Sequence, residues 1–149
     1  AAQSLLSYVG GTITVAGSAI DVREVTLEGA NGIATDRHFI RSSQLKKEQY
    51  PAAMADLGGR LSADFEDLTA YNRFVNGSIA SFTALWEGAV IEGALRYGVL
   101  VTCPAIRFDG TTPNVGGADI ITQTLPFKVL HDGASAPITV RYRTTDTAS

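Results

Sequence analysis

Chemistry needs particular residue types close together, and this chain offers few such groups. His38 and His131 are the two histidines, and they flank turns far apart in sequence. Asp36, His38 and Ser42 share one polar stretch, the composition of an acid–base–nucleophile set. Acyl transfer from such a set also requires a nucleophile on a sharp turn and donors for the oxyanion, and neither motif accompanies these residues. Two histidines without cysteines or a tight carboxylate cluster do not form a metal-ligand spacing. Asp64, Glu66 and Asp67 lie close together, but a solvated strand end followed by a helix cap accounts for them. The pairs Gly10-Gly11, Gly58-Gly59 and Gly116-Gly117 do not lead into helices with phosphate-loop spacing, so they read as turns, bulges or close packing. Gly88 and Gly93 bracket four residues with no Lys after them, which excludes a P-loop. Asn76-Gly77-Ser78 has the form of a glycosylation acceptor but falls where a helix needs its C-terminal stop. No catalytic residue, metal or cofactor is expected.

Composition narrows the classes further. The chain has 149 residues, a length that suits one domain spanning residues 1–149. Its formal net charge of -3 argues against a general nucleic-acid binder, which needs surplus Lys and Arg to displace counterions from phosphates. An acidic surface past which DNA slides stays open. Cys103 is the only cysteine, so it forms no disulfide within the chain; set in the run Val99-Leu100-Val101-Thr102-Cys103, it reads as a small buried hydrophobe. No apolar run approaches the roughly 20 residues of a membrane-spanning helix, so no membrane partner is expected. The start at Ala1 lacks both a basic signal-peptide region and an initiator Met, which leaves processing or excision from a longer chain open.

The elements that must position these residues are mostly strands. Thr12 to Val15 alternates polar and apolar residues, and with Ala16-Gly17-Ser18-Ala19 and Ile20 to Leu27 it predicts a hairpin. In its second arm Arg23, Val25 and Leu27 share one face, and Glu24, Thr26 and Glu28 the other. Residues 29–56 differ. They carry Asp36, Arg37, His38, Arg41, Lys46, Lys47 and Glu48, and a loop this long in a compact domain is usually functional. A projecting arm is expected, with His38-Phe39-Ile40-Arg41 available to extend as a hairpin. Leu57 to Phe65 alternates strictly. Asp67 to Asn76 predicts the one short helix, capped by Asp67, with Leu68, Tyr71, Phe74 and Val75 on its packing face and Gly77 as its stop. Strands return at Phe82–Trp86, Leu95–Cys103, Ala105–Phe108, Ile120–Leu130 and Ile138–Tyr142. Pro126 lacks a donor, so its strand is expected at an edge or bulged. The fold class is therefore mainly β: a sandwich or small barrel with one short flanking helix and a long projecting loop.

This order resembles the tail tube, or major tail, proteins of long-tailed bacteriophages. The carrying segments are Gly11–Gly17, Val25–Ile33 and Gly59–Asp67, followed by Tyr71, Phe74 and Gly77. Val101–Phe108 resembles the family's "lP…rf" strand, and Gln123–Phe127 its "q.lpf" edge strand. The resemblance implies a β protomer that assembles into rings, usually hexameric, which stack into a tube in the virion tail, built in the host cytoplasm. DNA would pass through the lumen without specific binding, and other tail proteins would be partners. The loop from Ile33 to Ala53 would then touch a neighbouring subunit through Arg37, His38, Arg41, Lys46, Lys47 and Tyr50. The lumen would be lined by strand faces poor in Lys and Arg: Glu24, Thr26 and Glu28, or Ser62, Asp64 and Glu66, with only Arg60 opposing. Besides a small hydrolase whose geometry the sequence does not display, two other readings stay open. One is a monomeric binding module of carbohydrate or adhesin type, which would want an exposed aromatic platform where Trp86 instead alternates on an inward face. The other is a different phage structural part, such as a head-completion or distal-tail protein.

Overall fold

A long hairpin organises the molecule. It consists of β7 (Ile79–Glu92) and β8 (Leu95–Phe108), which turn at Gly93, φ +55°. The computed structural model describes residues 6–42, 45–64, 72, 76–109 and 122–145. Period-two alternation buries Ala80, Phe82 and Ala84 on β7 against Val101 and Cys103 on β8. Pro104 then interrupts the ladder. Phe82 pairs with Cys103, but Ala80 pairs with Ile106, so one extra residue sits on β8. That bulge resets the alternation and keeps Ile106 and Phe108 facing the interior. The sequence suggests a separate strand after Pro104. The structure has one strand of 14 residues, because the bulge absorbs the missing donor.

Strand β8 is also the branch point of the sheet. One edge is taken by β7 along its length. The other is shared: β10 (Thr139–Arg143) pairs with Gly98–Thr102, and β9 (Thr122–Val129) pairs with Ile106–Phe108. From β9 the sheet continues to β6 (Asp56–Asp64) and β3 (Val22–Ala30); from β7 it continues to β1 (Gly11–Val15) and β2 (Ser18–Ile20). The order is thus β2-β1-β7-β8-β9-β6-β3, all antiparallel, with β10 to one side. Its two ends, β2 and β3, are joined through Asp21 alone. So short a link forces the sheet to coil until its ends meet, which gives the mainly β, sandwich- or barrel-like form expected.

The coil brings side chains from distant strands together. Phe82 of β7 and Phe127 of β9 stack with centroids 5.4 Å apart, and Phe108 of β8 meets Phe127 edge-on at 6.3 Å. Leu61 of β6 is fully buried beside them. Gly59 makes this closeness possible, since a Cβ there would lie 2.3 Å from the Thr26 carbonyl oxygen and 2.7 Å from the Phe127 ring. Gly58-Gly59 is therefore a close-packing pair, one of the roles read from the sequence. Cys103 is buried, and burial pushes its thiol pKa up, as suits an inert core residue.

Three other expectations change. Ile20 to Leu27 is not one strand: only Ser18–Ile20 completes the hairpin with β1, through Ala16 and Gly17 at φ +52° and +80°, and β3 crosses to the far end of the sheet. Arg23 does not share a face with Val25. A register shift between Val22 and Glu24 makes it the bulged residue and turns it out to Asp64, 2.7 Å away. Pro126 is not on an edge strand, since β9 lies between β8 and β6. Its carbonyl accepts from the Asp109 N–H at 2.9 Å on the β8 side, so its missing donor points to where β8 is ending, and the β6 ladder loses nothing. The expected helix falls largely outside the described residues. Asn72 is helical, the Asn76 N–H donates to its carbonyl at 3.0 Å, and Gly77 follows at φ +60°.

Phe82→Ala should cost about 3–5 kcal/mol by urea denaturation, the range for emptying a buried aromatic site. Gly59→Ala should cost roughly 1–3 kcal/mol through overpacking. A wild-type midpoint for either would refute this account of the core.

Candidate assembly surfaces

The long loop is an arm standing on a small sheet of its own. β4 (Ile33–Ala34) pairs with β5 (Tyr50–Pro51), and the Gly32 carbonyl accepts the N–H groups of Ala52 and Ala53 at 2.8 and 3.1 Å. Gly32 itself has φ +63°, and a Cβ there would strike the Ala53 carbonyl, so the turn requires glycine. His38 to Arg41 adopts no strand; among the described residues the arm's ladder is confined to its base.

The arm's cations are turned onto the arm itself. The Arg37 guanidinium lies 5.6 Å from the Phe39 ring and 5.8 Å from the Tyr50 ring, and it donates to the Glu48 carbonyl. Arg41 donates to the Leu45 carbonyl at 2.6 Å, and Lys46 to the Thr35 carbonyl at 3.2 Å. Lys47 sits 5.5 Å from the Phe39 ring, while its backbone N–H donates to the Arg37 carbonyl at 3.1 Å. Each exposed cation–π contact is worth about 0.5–1 kcal/mol, so together they brace a segment that has almost no ladder. His38 and Ser42 are exposed, and they form no hydrogen bond with each other or with Asp36. The arm also exposes large apolar side chains: Ile40, Leu45 (78%) and Met54 (93%). Charged residues dominate the arm's sequence and mask these three, although large apolar residues in a polar loop are themselves the signal.

A second surface is the outer face of β3, β6 and β9. The ladder aligns Glu24 with Ser62 and Thr124, Thr26 with Arg60 and Pro126, and Glu28 with Gly58 and Lys128. Glu24, Glu28, Ser62 and Asp64 thus come to one face; Glu66 lies outside the described residues. The face is less acidic than the sequence suggests. Arg23 neutralises Asp64, Arg60 stands 3.6 Å from Glu28, and Lys128 donates to both Asp56 carboxylate oxygens at 2.7 Å. That hydrogen bond, opposed by a smaller desolvation effect, raises the Lys128 pKa above its ordinary value. Gly58 leaves a groove of about 480 Å³ across this face.

The opposite outer face carries a row that no sequence reading could find, because cross-strand register is not local. Thr14, Thr83, Thr102 and Thr139 align across β1, β7, β8 and β10. Beside that row the edge of the sheet is open. β10 pairs only with β8, and β3 only with β6, among the described residues. No three His, Cys, Asp or Glu side chains there group as a metal site.

Comparison with known proteins gives these surfaces a setting. The family model described as phage tail tube protein matches residues 4–129. The chain belongs to the phage tail tube protein family. No curated protein matches it. Two solved structures share the fold. A cryo-EM structure of the anti-feeding prophage cap, its tube-terminating cap, aligns with TM-score 0.60 and 12% identity over 96% of this chain and 95% of that one. The sheath/tube terminator of an extracellular contractile injection system, in its extended state, aligns with TM-score 0.63 and 12% identity over 95% and 99%. This member of the tail tube family is a structural protein of the phage-tail type.

Arg37→Ala should speed amide hydrogen exchange in residues 35–50 and leave β7 and β8 amides unchanged; equal exchange in the arm would show that the cation braces nothing. Asp56→Asn should lower stability at neutral pH. Lys128 has a raised folded pKa, so its contribution is complete below about 10.5 and is lost as pH rises through the folded value. The difference between variant and wild type should therefore close at strongly alkaline pH.

Proposed function

We propose that the chain assembles with copies of itself into rings that stack as a phage tail tube through which DNA passes. The observation that carries this reading is the arm: a segment braced by its own cations while it holds Ile40, Leu45 and Met54 out in water. Exposing such side chains on a preorganised support is costly for a lone chain and useful for one that docks. Family membership supports the tail setting. A six-membered ring is the family expectation. On this reading Arg37, His38, Arg41, Lys46, Lys47 and Tyr50 form the frame of the arm's contact with a neighbouring subunit or ring, and the apolar residues form its centre. The outer face of β3, β6 and β9 is the proposed lumen wall. Its mixed and partly neutralised charges offer DNA no continuous cationic track, so DNA slides without being gripped. Virion location, other tail proteins as partners and assembly in the host cytoplasm belong to the same proposal.

The two similar structures, a tube cap and a sheath/tube terminator, favour a second reading in which this chain ends a tube rather than extends it. Negative-stain electron microscopy of the purified chain at rising concentration separates the two. Rings and open-ended tubes are expected, and deletion of residues 36–49 should abolish stacking. Rings that never stack, yet bind once to the end of a preformed tube, would favour the terminator. A monomer at every concentration would refute self-assembly.

A further inference from the structure

The free edges of the sheet carry a mismatch that a second copy would resolve. On β10, Val140 pairs with buried Val101, and Tyr142 with Val99, so both side chains lie on the core side of the sheet. Yet they are 61% and 67% exposed. The apolar face of the sheet therefore runs out past its own core onto a strand whose outer edge is unpaired among the described residues. On the other face of β10 stand Arg141 and Arg143. Arg143 is held loosely, 4.0 Å from Glu87 and 3.5 Å from the Arg96 carbonyl to which it donates, and the Arg141 side chain makes no hydrogen bond or ion pair among the described residues.

The other end of the sheet has the complementary pattern. Where β2 and β3 meet through Asp21, a cleft of about 680 Å³ opens onto the interior. Ile13, Ile20, Val22, Val25 and Trp86 line it, and all five belong to the core or pack against it. Along β3, Val25 and Leu27 face the core side, while Glu24 and Glu28 stand on the outer face. Beyond a 3.5 Å contact from the Thr26 hydroxyl, Glu24 has no ion-pair partner among the described residues.

We propose that β10 of one copy lies along the free edge of β3 in the next copy, so that each cleft is covered by its neighbour's Val140 and Tyr142 while Arg141 faces Glu24. This rests on the self-assembly reading above and names the contact. Both strands alternate with period two, so matching their apolar faces also matches basic with acidic residues. A slip of one residue would set Tyr142 and Val140 against the glutamates and lose both terms at once. Contact between two different edges is head-to-tail, and repetition of it either closes a ring or grows a filament. The occupant is a second copy of this chain because both halves of the complementary surface are on the chain itself.

Arg141→Glu and Glu24→Arg, each an exposed substitution, test the contact when assembly is followed by sedimentation velocity over a concentration series. Thermal melts matching wild type verify that each variant folds. Each single variant should need on the order of tenfold or more protein to assemble. The double variant carries the charges exchanged and should assemble at close to the wild-type concentration. A single variant that assembles like wild type, or a double variant no better than the singles, overturns this contact while self-assembly stands. A wild-type chain that stays monomeric throughout overturns the self-assembly reading and this contact with it.

Discussion

Asp21 is the constraint on which the rest of this structure depends. One residue joins the two ends of a sheet that otherwise runs through seven strands. A flat sheet would hold β2 and β3 several strand spacings of about 4.8 Å apart, far beyond the reach of one residue. The sheet must therefore coil, and the coil sets Phe82, Phe108 and Phe127 against one another from three strands. It also fixes where glycine is needed, at Gly59, where the curved layers approach most closely. Coiling brings the ends together without pairing them. The seam that results opens onto core residues, and the same topology leaves β10 with one neighbour.

A fold with an open seam, an uncovered apolar strand and a braced arm makes sense as a unit of something larger. The interior alone does not account for Val140, Tyr142, Ile40, Leu45 and Met54, whose exposure costs a solitary chain solubility. The ion pairs add little to the stability of the monomer, since exposed pairs contribute about 0–1 kcal/mol. Their placement serves specificity better: Asp64, Glu28 and Asp56 on the β3–β6–β9 face have cationic partners, whereas Arg141 and Glu24, on the two open-edge strands, form no ion pair among the described residues.

Much of this was legible in the sequence, for physical reasons. Alternation in Phe82–Trp86 and in Leu57–Ala63 is a local signal, and both segments are strands with the expected faces inward. The Ala16-Gly17 turn and the buried state of Cys103 were equally local. What was illegible depends on register or on distant partners. Arg23 looked inward until a bulge turned it toward Asp64, 41 residues away. Pro126 suggests an edge or a bulge because a sequence does not tell which side of a strand has lost its neighbour. The alternation of Ile138, Val140 and Tyr142 was read correctly as an apolar face, but a pattern does not say what covers that face. On the arm the charges are a local signal because they are many, whereas the exposure of Ile40 and Leu45 depends on what the rest of the fold leaves uncovered.

The central claim is that copies of this chain join through the open edges of one coiled sheet. Amide hydrogen exchange, compared between dilute monomer and assembled protein, tests it most directly. The account predicts new protection in residues 22–28 and 139–143 together on assembly, with β7 and β8 core amides protected in both states. Assembly that leaves exchange in both of those strands unchanged would contradict it.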